Sequence, residues 1–177
     1  EALACYLRLF YVAPSPNLNI REAKAHDIFR GTKTHTTIGV VTSLMPKRIE
    51  AQQAAVRSWA AAGLSVVSVN SQLEADQLRG HFPNVAFRIV EQPVEDSFGR
   101  PLVPIQALIQ AAQESFDDVC GIINSDIAFV GDPSFFDAVR REVPGSLVFG
   151  CRIDVERAGA SGGNTFRNGY DFFFWER

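Results

Sequence analysis

The sequence is poor in the features that would fix its class at a glance. It has only three cysteines, Cys5, Cys120 and Cys151. That number is odd, the spacing is not that of a metal site, and the two later ones lie in or beside apolar segments, where reduced cysteine behaves as a small hydrophobe. A disulfide scaffold is excluded. Lys and Arg total 17 against 20 Asp and Glu, a formal charge of -3, with no basic run to grip a phosphate backbone, so no nucleic-acid partner is expected. No apolar stretch approaches the roughly 20 residues that span a bilayer, and no charged stretch followed by an apolar one opens the chain, so no transmembrane segment and a cytoplasmic location are expected. Residues 43–48 contain no glycine, which excludes a Gly-x-Gly-x-x-Gly dinucleotide turn and a P-loop after the first strand. Gly-x-Ser-x-Gly occurs once, as Gly159-Ala160-Ser161-Gly162-Gly163, a loop sequence without the strand-to-helix context of a nucleophile elbow.

What remains is the composition of a globular domain: 177 residues, 46% hydrophobic and 21% charged. From Ile38 onward, short apolar runs alternate with helix-like segments, the pattern of an α/β sheet with crossover helices. The runs Ile38–Thr42, Ser65–Val69, Ala86–Val90, Val119–Ile123 and Leu147–Phe149 are mostly apolar rather than alternating, as strands buried on both faces should be. Helices are predicted from Pro46 to about Ala62 with Gly63 as the stop, over the shorter Gln72–Gly80, and after Pro104, where Ile105, Leu108, Ile109 and Ala112 form one apolar face. Asp132-Pro133 reads as an N-cap followed by proline at N1, opening a helix with Phe136, Val139 and Val143 inward. Ala158–Asn164 is a small-residue loop. Residues 1–36 do not join the alternation and form an arm: a lid, an interface segment through which two copies could pair, or the remnant of a preceding domain. Residues 37–177 form the domain proper. The chain opens at Glu1 rather than methionine and stops directly after an aromatic run, which reads as a piece of a longer protein.

Ligands of open α/β sheets bind beyond the carboxyl ends of the strands, so the polar residues that end the runs are the candidate site. These are Thr42-Ser43, Asn70-Ser71 and Asn124-Ser125-Asp126. A carboxylate at Asp126 beside the Asn124 amide can give one oxygen to Mg²⁺ or Mn²⁺, a ligand diphosphate supplying others. The same three residues also fit a turn that merely ends the strand. Arg152 and Asp154 flank Ile153, so alternation puts both on one face within range of an ion pair. Asp171, an acid among Tyr170, Phe172 and Phe173, either pairs with a buried arginine or acts in catalysis. Lys47 and Arg48 read as solvated first-turn residues, because a cation at a helix N-terminus is mildly unfavourable unless an anion is present.

The order of these parts resembles the core of GT-A nucleotide-sugar glycosyltransferases. They run from a strand into Thr42-Ser43, a proline-bearing turn and a helix, then to a strand ending in Asn70, an arginine before the Pro104 helix, and Asn124-Ser125-Asp126. Asn124 stands where the family's DxD motif has its first Asp, and Asp126 matches the second. Segments 150–155 and 169–174 also resemble the stretches C-terminal to this motif in a group of GT-A-like proteins.

The resemblance implies a GT-A-like, mixed but mostly parallel sheet flanked by helices, a Rossmann-like three-layer sandwich. It implies transfer of a sugar from a nucleotide-diphosphate donor to an acceptor whose identity stays open. Thr42, Ser43 and Asn70 would contact the nucleoside; Arg100, in Ser97-Phe98-Gly99-Arg100-Pro101, the diphosphate; and Asn124, Ser125 and Asp126 the diphosphate and a Mn²⁺ or Mg²⁺ ion, with Asp126 as the metal ligand. Arg152 and Asp154 would orient sugar hydroxyls or help anchor the leaving phosphate, and Asp171 would be the base that deprotonates the acceptor. The family's further metal ligand is commonly a late histidine, whereas His26, His35 and His81 all precede Asn124. A noncatalytic GT-A-like domain binding a nucleotide sugar, or a protein partner, is the alternative.

Overall fold

In a computed structural model the apolar runs become strands of one sheet, but the Ala86–Val90 run, expected to be buried on both faces, is an edge strand and mostly exposed. The structure describes residues 8–12, 20–22, 37–91, 94–95, 101–131, 134–154, 163–165 and 169–177. The strands are β1 (Arg8–Val12), β2 (Ile20–Glu22), β3 (Ile38–Thr42), β4 (Ser65–Asn70), β5 (Ala86–Ile89), β6 (Val94–Glu95), β7 (Pro101–Leu102), β8 (Val119–Ile123), β9 (Leu147–Cys151), β10 (Ile153–Asp154), β11 (Asn164–Thr165) and β12 (Phe172–Glu176). Between them lie helices α1 (Ile49–Ala61), α2 (Gln72–Leu78), α3 (Ile105–Ser115) and α4 (Ser134–Glu142). The main sheet has the order β2-β1-β9-β12-β8-β3-β4-β5. Strands β5, β4, β3 and β8 are mutually parallel. β12 is antiparallel to both β8 and β9, so β9 runs with the parallel set. The fold is therefore α/β with a mixed, mostly parallel sheet, and its six central strands contain a single reversed member. Two stretches of the arm join it: β1 pairs with β9, and β2 pairs with β1. β6–β7 and β10–β11 are separate two-stranded ladders.

Two apolar clusters make the outer layers, giving the Rossmann-like three-layer sandwich. On one face α1, α2 and α4 contribute Trp59, Leu78, Phe136 and Val139, which meet Val40, Ile123, Phe172 and Phe174 of the sheet. Phe136, Val139 and Val143 are inward, as the spacing predicts. On the other face α3 meets Val41, Val67, Val69 and Cys120. Two glycines are there for close approach: a Cβ on Gly39 would fall inside the Phe116 ring, and one on Gly121 inside that of Phe174. Burial pushes the Cys120 thiol above its ordinary range.

Two helix predictions need correction. The first helix begins at Ile49, not Pro46, because Arg48 takes a left-handed backbone (φ 53°, ψ 39°) that a helix cannot contain. The apolar face of α3 is also rotated. Ala111 and Ala112 are its buried residues, with Ala107 and Leu108 packed beside them, whereas Ile105 and Ile109 are 59% and 38% exposed. Small side chains let α3 lie close on the β3–β4–β8 surface, and hydrophobic size alone points to the wrong stripe. The Asp132-Pro133 cap, most of the Ala158–Asn164 loop and Arg100 lie outside the described residues. Among the described residues, no helix is long and apolar enough to cross a membrane.

Candidate functional site

The chain leaves β3 through α1 to reach β4 on one side, and reaches β8 on the other side by way of α3 on the opposite face. From the carboxyl ends of these neighbours the chain then leads to β4 on one side and, through α4, to β9 on the other, so the strand order reverses between β3 and β8, a topological switch point where open sheets form crevices. A cleft of about 260 Å³ opens there, lined by Thr42, Ser43, Met45, Leu108, Ile122, Ile123, Asn124, Ser125 and Asp126. It lies just below the roughly 300–1,000 Å³ usual for small-molecule pockets, room for part of an extended ligand. Five of the residues singled out in the sequence thus meet in one place, although Thr42 and Asn124 are 82 positions apart in the chain. Thr42 is 1% exposed and Ser125 8%. The Thr42 hydroxyl has no hydrogen-bond partner among the described residues.

The near wall is the loop from Ser43 to Arg48, and three buried polar side chains hold it. Gln52, from the first turns of α1, accepts from the Met45 N–H (2.8 Å) and donates to the Met45 carbonyl (2.9 Å) and the Lys47 carbonyl (2.6 Å). The Ser68 hydroxyl accepts from the Leu44 N–H (3.0 Å) and donates to Asn70 Oδ1 (2.6 Å), while Asn70 Nδ2 donates to the Leu44 carbonyl (2.6 Å). Gln52, Ser68 and Asn70 are each 0% exposed. Buried amides and hydroxyls are costly unless bonded; here they are bonded to the loop backbone, so their partnering fixes its shape. Asn70, expected against a nucleoside, is occupied with this work and does not line the cleft. Gln52 and Ser68 went unrecognised because a polar residue inside an apolar pattern carries no sign of which backbone it will meet.

The far wall, Asn124 to Asp126, is backed by charge: Arg152, Asp154 and Asp171 stand behind it and do not line the cleft. β12 runs opposite to β8, so its first residues lie at the same sheet edge as the ends of β8 and β9. Asp171 is 3% exposed and accepts three hydrogen bonds: from Asn124 Nδ2 (2.9 Å), the Arg152 backbone N–H (2.9 Å) and Arg152 Nη1 (2.9 Å). Arg152 Nε also donates to Asp154 Oδ1 at 2.7 Å, the same-face pair that strand alternation predicts. Burial alone would lower the Arg152 guanidinium's pKa, but its bonds to Asp154 and Asp171 outweigh this and push it above the ordinary value. Both oxygens of Asp171 are engaged, so it acts as a strut between Asn124 and Arg152. Taking a proton from an acceptor would require giving up those bonds.

Arg48 completes the edge. Its Nη1 lies 3.3 Å from Asp126 Oδ2, with the two side chains 52% and 36% exposed. Asp126 is the acid of the cleft lining, and Asp154 and Asp171 are the acids beside it at the ends of β9 and β12. Every one of the three has an arginine partner. Held by the protein alone, Mg²⁺ or Mn²⁺ would need several carboxylate oxygens converging on one point; with a diphosphate bound, one carboxylate can suffice. Among the described residues no group of three or more metal-ligating side chains converges in this way. The described residues alone therefore supply no complete divalent-ion shell: Asp126 offers one carboxylate, and Arg48 already contacts it.

No family model matches this chain, and no curated protein does.

Proposed function

We propose that the protein binds a nucleotide-diphosphate sugar in the β3–β8 cleft and transfers the sugar to an acceptor, as a glycosyltransferase of GT-A type. The observation that carries this reading is the cleft itself. A loop pinned by Gln52, Ser68 and Asn70, and the Asn124-Ser125-Asp126 turn, converge at the switch point of a sheet whose order is β5-β4-β3-β8-β12-β9. In this reading Thr42, Ser43 and the apolar Leu108 and Ile122 take the nucleoside. Asn124 and Ser125 lie along the diphosphate, and Arg152 with Asp154 faces the sugar hydroxyls, about where a β9–β12 edge continues the cleft. Asn70 and Asp171 position these groups rather than touch the ligand. The cytoplasmic setting expected from the sequence belongs to the same proposal, as does pairing of two copies through the arm.

A second reading keeps the donor site and drops the transfer: a binding domain for a nucleotide sugar or a protein partner. The observation in its favour is that Asp126, Asp154 and Asp171 are all engaged by arginines, so none of these three is idle to serve as base. Calorimetric titration with UDP and GDP, then an assay for release of sugar from the donor of whichever binds, separates the two. Binding with turnover supports the transferase; binding without turnover supports the second reading. If neither nucleotide binds at millimolar concentration, both nucleotide-sugar readings fail.

A further inference from the structure

Two arginines meet three acids at this sheet edge, and they are not equivalent. Arg152 is held from several sides, whereas Arg48 makes a single contact with Asp126 in which both side chains are substantially exposed. Such pairs contribute little and break readily. Arg48 also stands at the N-terminus of the 13-residue α1, where it makes no side-chain cap. The positive end of the helix and a guanidinium therefore occupy the same place, an arrangement that an anion would stabilise. Independently, Thr42, a residue of the cleft lining, is 1% exposed, and its buried hydroxyl has no partner among the described residues. A buried hydroxyl without a partner points to an acceptor supplied from outside the chain.

We infer that the mouth of the cleft is a metal-independent phosphate site in which Arg48, released from Asp126, binds a diphosphate with the help of the Thr42 hydroxyl and the N-terminus of α1. Asp126 is then the counter-ion that holds Arg48 in place while the site is empty, not a metal ligand. Guanidinium suits this task because its planar fork takes two phosphate oxygens at once. The identity of the ligand as a nucleotide diphosphate rests on the reading proposed above; the anion site does not.

The test is calorimetric titration of the chain with sodium pyrophosphate in EDTA, then with UDP in EDTA and with UDP plus MnCl₂. Pyrophosphate should bind in EDTA. Arg48→Gly, which keeps the left-handed backbone without strain, should weaken binding at least tenfold, and Arg48→Lys should restore part of the loss. Thr42→Val should weaken it severalfold. Asp126→Asn should bind at least as tightly as the unaltered chain, because it frees Arg48. Binding that appears only with Mn²⁺, or that survives Arg48→Gly within threefold, or that Asp126→Asn abolishes, overturns the inference. UDP that binds no more tightly than pyrophosphate would sink the nucleotide reading and leave the Arg48 site standing. UDP binding that needs Mn²⁺ and ignores Arg48 would do the reverse.

Discussion

The two walls of the cleft reach the same end by different physics. The near wall, Ser43 to Arg48, is held by neutral groups: Gln52, Ser68 and Asn70, each fully buried and each bonded to backbone. The far wall is held by ions, with Asp171 buried beneath Arg152 and Asp154 beside it. Neutral polar groups, once bonded, cost far less to bury than ions, so a loop can be pinned from below while its upper side stays open to a ligand. Buried charge is expensive, so the far wall stands only while every member has its partner. A neutral wall should therefore lose stability in small steps as single groups are removed, and a charged wall should lose it at once.

The largest break in this comparison is Asp171→Ala. It strips Arg152 of one carboxylate and leaves the Asn124 amide and the Arg152 N–H without their acceptor. Removing one member of a buried pair costs ~3–5 kcal/mol. Arg152 keeps Asp154 and is 27% exposed, so the lower end is expected, about 3 kcal/mol by urea denaturation. Asp171→Asn, which retains an acceptor oxygen and the shape, should lose clearly less. Equal losses would mean that the charge contributes nothing and that the wall is held by shape alone.

On the neutral side, Gln52→Ala removes three hydrogen bonds to the loop but no charge. Met45 is 44% exposed, so water can reach part of what is left unpaired. The expected loss is about 2 kcal/mol, within the ~1–3 kcal/mol range for an unsatisfied buried group. The sharper readout is local: protection of the Leu44 to Lys47 amides from hydrogen exchange should fall more than that of β8. If Gln52→Ala costs more than Asp171→Ala, the contrast between the walls is wrong.

Much of this architecture is legible in the sequence, for identifiable reasons. Ile38–Thr42 and Val119–Ile123 are buried on both faces, and mostly apolar runs say so directly. The meeting of Thr42-Ser43 with Asn124-Ser125-Asp126 stems from strand ends sharing a sheet edge. The placement of β12 between β8 and β9 is not legible, because an aromatic run reads as a strand without naming its neighbours or direction. Arg48 misleads for a different reason. The local rule disfavours a cation at a helix start, and the partner that reverses this, Asp126, is 78 residues away. Asn70 shows the limit for polar strand ends generally: a ligand contact and a backbone clamp need the same side chain, and the choice between them depends on Leu44, which belongs to another segment.

A smaller effect probes the neutral wall at its far end. Ser71 caps α2 through a reciprocal box with Glu74: its Oγ accepts from the Glu74 N–H, and the Glu74 carboxylate accepts from the Ser71 N–H. Glu74 also reaches toward Asn70 Nδ2 at 3.5 Å, so the cap abuts the clamp on Leu44. Ser71→Ala should cost about 1 kcal/mol, the usual value for losing such a cap. It should leave exchange in the Leu44 to Lys47 loop unchanged, since Asn70 keeps its 2.6 Å bonds to Ser68 and Leu44. Loosening of the loop in Ser71→Ala would extend the near wall into α2.

The smallest expected change separates the backbone of Arg48 from its charge. A non-glycine residue at φ 53° carries strain that glycine does not. The contact with Asp126 is exposed on both sides and is worth ~0–1 kcal/mol, so its loss is easily offset. Arg48→Ala keeps the strain and loses the contact. Arg48→Gly loses both, at the expense of some extra freedom in the unfolded chain. Arg48→Gly should therefore be more stable than Arg48→Ala by about 0.5–1 kcal/mol, while the two bind pyrophosphate equally weakly. An Ala variant as stable as the Gly variant would show that the loop abandons its left-handed turn once the guanidinium is gone. The pairing with Asp126, rather than Gln52 beneath it, would then be what sets the shape of the near wall.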